Sequence, residues 1–310
     1  MNNDTKNIKT RFPQGSLAAC VLPWKSNWEL DEKCFQKHVR RAIELGYIDL
    51  YVMGTAGEGY ALSDTQFAQV VGLFARETSR PGLRPQVGLI SLSMRQIVER
   101  IATCRALGIR TFQISLPSWG ALSDNELTSF FRGVCGEFPD CNFLHYNLPR
   151  TKRVINGTDY RRIADQVPNL VATKNSTSDF SRVADLMQHV PDLQHFFVEN
   201  AFAMGALFGE CSLLCSYGML FPNTSKALFE SGKRQDLATL WKIHRQLADL
   251  DGILFSHLTA QYIDGAYDKT FAWLDDSSFP TTLLPPYDGL TEQDKAGVRK
   301  AYETRCRHLS

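Results

Sequence analysis

Short apolar runs, several of them rich in β-branched and aromatic residues, alternate along this chain with longer stretches in which apolar positions recur every three or four residues. The runs are SLAACVLPW (16–24), DLYVMG (49–54), RPQVGLI (84–90), TFQISLP (111–117), NFLHYN (142–147), LVATKN (170–175), HFFVE (195–199) and SLLCSYG (212–218). They predict strands, and the amphipathic stretches between them predict the helices of βα units around a parallel sheet. Helix starts are marked by Ser63, by Ser123 with Glu126 three residues on, and by Asn156. Short polar side chains at such places accept the free backbone N–H groups of a first turn. Gly46 and Gly108 mark helix ends. About eight strands suffice to close a (β/α)8 TIM barrel; a doubly wound open sheet shares the same alternation, because periodicity carries no information on closure. Beyond residue 234 the strand pattern stops, and DLATLWKIHRQLADLDGILF and LTEQDKAGVRKAYETR are helical in spacing. The expected organisation is a barrel over 1–234 and a small helical C-terminal region over 235–310.

Composition narrows the classes of function. At 310 residues and 44% hydrophobic, the chain can bury one large core. Its 34 basic and 33 acidic side chains nearly cancel, to a net charge of +1, so neither a nucleic-acid nor an anionic-membrane partner is expected. The polar opening stretch MNNDTKNIKTRFPQG lacks the apolar segment of a signal peptide. No apolar run approaches the roughly 18 residues that cross a bilayer. The eight cysteines form no CxxC pair, and Cys211 and Cys215, the nearest two, have no histidine beside them. Free core thiols and a cytoplasmic location are therefore expected, with no zinc site.

In a (β/α)8 barrel the chemistry gathers at the C-terminal ends of the strands. There this chain places GTAGEG (54–59), LPSWG (116–120), Tyr146, Lys174, Glu199 with Asn200, and Ser216 with Tyr217. No HxH pair, carboxylate cluster or GxGxxG motif is among them, so a metal-dependent hydrolase and a dinucleotide enzyme both lose ground, and no metal or organic cofactor is expected. Lys174 closes an apolar strand. Burial disfavours an ammonium and brings a lysine pKa from about 10.4 toward 7–8, leaving a neutral amine that attacks carbonyl carbons. Tyr146, on the adjacent strand, could carry the protons. Taken singly, a strand-end lysine is most often a solvated surface residue and a strand tyrosine most often core. The glycine-rich turn after the second strand alters that balance.

The combination resembles the dihydrodipicolinate synthase/N-acetylneuraminate lyase family of class I, Schiff-base aldolases. The matching pieces are GTAGEGYALS (54–63), YNLP (146–149) and ATKNST (172–177), in the family's order and spacing, with LPPYDGLTEQD (284–294) similar to its C-terminal segment. The resemblance implies that Lys174 forms an imine with a pyruvate-like 2-oxo acid and that Tyr146 relays protons. It implies that the Thr55 hydroxyl and the amides of Thr55 and Ala56 hold the substrate carboxylate. Gly57, Trp119, Arg150, Arg153 and Leu213 are the further substrate contacts it suggests, Glu58 is expected to brace the turn, and relatives are commonly homo-oligomers, dimers or tetramers.

Departures bear on the substrate. Ala56 stands where synthases and sialate lyases carry a second hydroxyl, and Trp119 stands at or beside their relay tyrosine. Thr151 falls where the synthases place an arginine, and Val198 where the family often has glycine. The expectation is a Schiff-base lyase or aldolase acting on pyruvate or a related 2-oxo acid, other than dihydrodipicolinate synthesis itself. A 2-keto-3-deoxy sugar acid dehydratase and an aromatic hydratase-aldolase share the chemistry, with Phe112, Trp119 and Tyr217 suiting a bulky substrate. A non-catalytic keto-acid-binding barrel is the alternative from another class.

Overall fold

The computed structural model describes residues 9–309, so the first eight residues of the polar opening stretch lie outside the described residues. Eight strands, β1 (Ser16–Cys20), β2 (Asp49–Val52), β3 (Arg84–Leu89), β4 (Thr111–Ile114), β5 (Asn142–Asn147), β6 (Leu170–Asn175), β7 (Gln194–Phe197) and β8 (Ser212–Cys215), pair in parallel in chain order. β1 pairs with β8 as well as with β2, which closes the ring and excludes the open sheet. Helices α1 (Glu32–Glu44), α2 (Asp64–Thr78), α3 (Met94–Ala106), α4 (Asp124–Cys135), α5 (Gly157–Ala164), α6 (Phe180–His189), α7 (Glu199–Gly205) and α8 (Pro222–Lys233) follow successive strands. Four more come after them: α9 (Leu237–Leu247), α10 (Leu250–Phe255), α11 (Asp264–Asp275) and α12 (Glu292–Ala301).

The expected helix signals act as chemistry requires. Ser63 and Ser123 each form reciprocal capping boxes, with Gln66 and Glu126, and Asn156 accepts from the Asp159 amide. Gly46 and Gly108 follow their helices at φ +89° and +87°, the left-handed conformation that a glycine adopts without strain. Several apolar runs outlast their strands: Val21, Leu22 and Trp24 are buried beyond the end of β1, and Leu116 beyond β4. Run length therefore reports burial at the barrel mouth, not the length of the hydrogen-bonded ladder.

Alternation along each strand divides the core in two. Leu17, Tyr51, Leu144, Ala172, Phe196 and Leu214 fill the barrel interior. Val52, Val87, Phe112, Phe143, Phe197 and Leu213 face the surrounding helices. The outer layer runs on without a break into Leu240, Leu247, Leu250, Leu254 and Val298, so the later helices share the barrel's core. All eight cysteines are free thiols. No helix of the described residues is long and apolar enough to cross a membrane.

Candidate active site

Register decides which side chains meet. In the β5–β6 ladder Tyr146 pairs with Lys174, and β7 sets Phe196 on the other side. The Lys174 side chain points into the barrel and is only 1% exposed. Its Nζ lies 3.9 Å from the centroid of the Tyr51 ring and 4.1 Å from that of Tyr146. It donates to Gln113 Oε1 at 3.3 Å, and Gln113 is itself held by donating to Gln86 Oε1 at 2.8 Å. Ring faces and the carboxylates of Asp268 and Asp264 favour the ammonium, but desolvation outweighs them and brings Lys174 from 10.5 down to about 7. Near neutral pH a large fraction of this amine is an unprotonated nucleophile.

The turn after β2 is shaped by close approach. Met53 and Glu58 adopt left-handed φ values of 62° and 51°, and a Cβ on Gly59 would lie 2.1 Å from the Met53 carbonyl oxygen. Glu58 locks the turn: it accepts from Trp24 Nε1 at 2.9 Å and the Leu284 amide at 2.7 Å, and it pairs with the buried Lys269 of α11. Burial lowers Lys269 to about 8 against the pull of Glu58. The N–H groups of Thr55 and Ala56 enter no hydrogen bond among the described residues. Consecutive unspent amides at such a turn suit an anion.

Three hydroxyls form a chain at the same strand ends. Thr55 Oγ1 lies 3.3 Å from Tyr146 Oη, which lies 3.5 Å from Ser176 Oγ. Burial raises the Tyr146 phenol above its ordinary value, while Ser176 and Thr55 act in the opposite direction. These groups and Lys174 line a cavity of about 480 Å³, whose opposite wall is built by Asp251 and Phe255 of α10 and by Asp264, Tyr267, Asp268 and Phe271 of α11. Glu199, Asn200, Ser216 and Tyr217 line it too. Glu199 Oε1 accepts from the amides of Ser216 and Tyr217, yet burial raises the carboxyl to about 7. Burial, with Asp264 next, raises Asp268 to about 7 as well.

The sequence-derived residues distribute unevenly around this cavity. Lys174, Tyr146, Thr55 and Ala56 line it together; Gly57 does not, and a Cβ there would lie 2.7 Å from the Met53 amide nitrogen. Leu213 faces the outer helices and Leu214 takes the place facing the cavity, since a strand turns successive side chains to opposite faces. Trp119 is 84% exposed and does not line this cavity, and its carbonyl accepts from Lys152. Arg150 makes a two-pronged pair with Asp264 at 2.8 and 2.9 Å, and Arg153 pairs with Asp124 and Asp159; neither arginine lines the cavity. Thr151 Oγ1 lies 2.9 Å from the carbonyl oxygens of Leu148 and Arg153, and Phe112 is fully buried behind β4. Ser176 was not singled out in the sequence; it directly follows the end of β6, two residues beyond Lys174, and that closeness in the chain is the signal that could have found it. Asp264, Tyr267, Asp268 and Phe271 form an i, i+3, i+4, i+7 stripe, a pattern that marks one helix face without saying what it covers. Among the described residues, no group of three or more His, Cys, Asp or Glu is arranged to hold a metal ion.

The closed (β/α)8 barrel of this chain holds a buried lysine facing a tyrosine across adjacent strands, and the chain has known relatives. The model of the dihydrodipicolinate synthetase family matches residues 12–304, and the chain belongs to that family, whose members include Schiff-base aldolases and lyases. It is 24% identical over 262 residues to the 4-hydroxy-tetrahydrodipicolinate synthase of Sulfurimonas denitrificans, covering 82% of this chain and 88% of the relative. Its fold is similar to that of YagE, a prophage protein of the dihydrodipicolinic acid synthase family from E. coli K12 solved with pyruvate, at a TM-score of 0.85 and 18% identity over 94% of this chain and 97% of that one. It is similar also to CdNal from Clostridium difficile solved with mannosamine, at a TM-score of 0.82 and 14% identity over 94% and 99%.

Proposed function

We propose that this protein is a Schiff-base lyase or aldolase that acts on pyruvate or a related 2-oxo acid through an imine on Lys174. The observation that carries the reading is the buried Lys174 amine, brought to about 7 and facing the same cavity as Tyr146 and the turn at Thr55 and Ala56. The neutral amine adds to the ketone carbon, and loss of water gives the iminium. The iminium withdraws electrons from the neighbouring carbon as an enamine forms or collapses. In the cleavage direction the bond between C3 and C4 breaks, the C4 hydroxyl gives up its proton, and C3 is reprotonated. Tyr146, held between Thr55 and Ser176, is the proton carrier for these steps. The unspent amides of Thr55 and Ala56 hold the 2-oxo acid carboxylate.

Dihydrodipicolinate synthesis is not the reaction we assign. Its second substrate, aspartate semialdehyde, brings a carboxylate, and Arg150 is already held by Asp264 while Thr151 is turned to backbone carbonyls. A dehydratase acting on a 2-keto-3-deoxy acid keeps the same imine and differs only in the bond that breaks, and the carboxyls of Asp268 and Glu199, raised by burial, would suit protonation of a departing hydroxyl. The test is reductive trapping. Pyruvate with borohydride is expected to attach to Lys174 and abolish activity, while Lys174→Ala takes up no label at a specific site. Label spread over surface lysines such as Lys37 and Lys152, with activity intact, would sink the reading.

A further inference from the structure

We infer that Tyr51 is a second proton carrier of this site: its phenol protonates the hydroxyl that leaves when the 2-oxo acid condenses with Lys174. The inference rests on the imine reading above and deepens it, since the steps given to Tyr146 lie at C3 and C4 and leave the loss of water from C2 without an acid.

Four tyrosines line the cavity: Tyr51, Tyr146, Tyr217 and Tyr267. Three of them have partnered hydroxyls. Tyr146 lies between Thr55 and Ser176, Tyr217 donates to Asp251, and Tyr267 accepts from the Tyr262 amide. The Tyr51 hydroxyl enters no hydrogen bond among the described residues, although its side chain is only 5% exposed. Buried phenols ordinarily find a partner. Packing does not account for the oxygen, because a phenylalanine ring would cover the amine equally well. The hydroxyl is left for what occupies the cavity.

Topology brings this phenol to the amine from where Tyr146 is not. β2 stands four strands from β6 whichever way the closed ring is followed, so Tyr51 reaches Lys174 across the barrel, while Tyr146 comes from the adjacent strand. The two ring centroids lie 3.9 and 4.1 Å from Nζ. Gly54 makes the first approach possible: a Cβ there would lie 2.7 Å from Tyr51 Cε2 and 3.1 Å from Lys174 Nζ. The oxygen of a carbinolamine sits two bonds from Nζ, and the Tyr51 hydroxyl sits one ring radius and one bond from a centroid that Nζ already touches, so the two oxygens are within reach of each other. Burial, then the charge of Asp268 and the Tyr146 phenol, raises Tyr51 well above the ordinary phenol value, so it holds its proton at working pH. Hydroxide is a stronger base than phenolate, and the proton passes as the carbon–oxygen bond breaks.

The neutral amine adds to C2 and passes a proton to the ketone oxygen, giving the carbinolamine. The bond from C2 to that oxygen then breaks with its electron pair on oxygen, the oxygen takes the Tyr51 proton and leaves as water, and the nitrogen lone pair closes the C=N bond of the iminium. The phenolate recovers a proton from solvent. Atoms and charge balance, and nothing is oxidised or reduced.

The test follows iminium formation by itself. Wild type, Tyr51→Phe and Tyr146→Phe are mixed with saturating pyruvate and quenched with borohydride at successive times, and the label on Lys174 is read by mass. Tyr51→Phe should form the iminium roughly 10²-fold more slowly, the low end of the loss when a general acid is removed, yet reach the wild-type extent of label and keep the pH midpoint of trapping. Tyr146→Phe should form it at close to the wild-type rate. Iminium formation at the wild-type rate in Tyr51→Phe, a slowing that comes with a moved midpoint and so acts through the titration of the amine, or a larger slowing in Tyr146→Phe overturns this inference and leaves the imine reading standing. Wild type supplies a reading that no folding defect in a variant can obscure: its iminium formation should be slower in heavy water at the same fraction of free amine, and an equal rate overturns the inference too. A wild type that takes no label overturns the imine reading and this inference with it.

Discussion

Tyr146 presents its ring face to the Lys174 amine, with Nζ 4.1 Å from the centroid, and turns its hydroxyl to Thr55 at 3.3 Å. One phenol thus serves two purposes. Its face helps to seat the lysine, and its oxygen joins a chain of hydroxyls that borders the cavity.

These two purposes separate by substitution. Tyr146→Phe keeps the ring and loses the oxygen, so trapping of pyruvate on Lys174 should persist while turnover falls roughly 10²–10⁴-fold, the usual loss when a general acid/base is removed. Turnover within a factor of two of wild type would return Tyr146 to a packing role.

Ser176 tests whether the third hydroxyl belongs to the same chain. Ser176→Ala should lower kcat about 10-fold with little change in KM for the 2-oxo acid, because the serine touches the phenol and the carboxylate site we propose is at Thr55 and Ala56. Thr55→Val should change both parameters. If Ser176→Ala raises KM and spares kcat, the serine binds substrate and does not move protons.

The rate of imine trapping should follow the free amine of Lys174. With the amine at about 7, trapping at fixed pyruvate should rise about tenfold per pH unit below pH 6.5 and level off above pH 8. Asp268 favours the ammonium, so Asp268→Asn should move the midpoint of that rise to lower pH. A midpoint near pH 10, or a shift to higher pH in the variant, contradicts the assignment.

The barrel was legible because its signals are local and repeated: the alternating runs, the capping serines at 63 and 123, and the glycines at 46 and 108 each specify their own element. That Lys174, Tyr146 and Thr55 meet in one cavity was legible because each sits at a strand end, where barrel geometry converts chain order into proximity. Leu213 was misplaced by one residue, which in a strand exchanges inside for outside. Trp119 and Arg153 were misplaced because loops beyond strand ends carry no period that says where a side chain points. The wall from α10 and α11 was illegible for another reason. Asp251 and Asp268 reach the cavity only through packing of the late helices onto the barrel, and nothing local in their sequence encodes that contact. Ser176 lies just past the end of β6, so its nearness to Tyr146 follows from chain proximity to Lys174 and not from strand period.

The strongest physical consequence of the site is that Lys174 weakens the fold that holds it. Its amine titrates at about 7 in the native protein, against 10.5 as the ordinary value of an exposed lysine. Between those values the unfolded chain binds a proton that the folded chain does not, so stability rises with pH through that window. Below pH 7 both states are protonated and the full cost of the buried ammonium is present. At about 1.4 kcal/mol per pH unit, the gap corresponds to at most roughly 5 kcal/mol. Replacing the lysine leaves Gln113 Oε1 without its donor, which costs about 1–3 kcal/mol. Lys174→Met, similar in volume and apolar, should therefore be inactive yet more stable than wild type by roughly 2–3 kcal/mol at pH 7. The advantage should shrink steadily as the pH rises from 7 toward 10.5, above which the native and unfolded lysines are both mostly neutral. Urea unfolding of both proteins at pH 7 and pH 9.5 measures it. A methionine variant less stable than wild type at pH 7, or an advantage that does not change with pH, would mean that Lys174 carries its charge in the folded protein at no cost, and the case for a nucleophilic amine would fail with it.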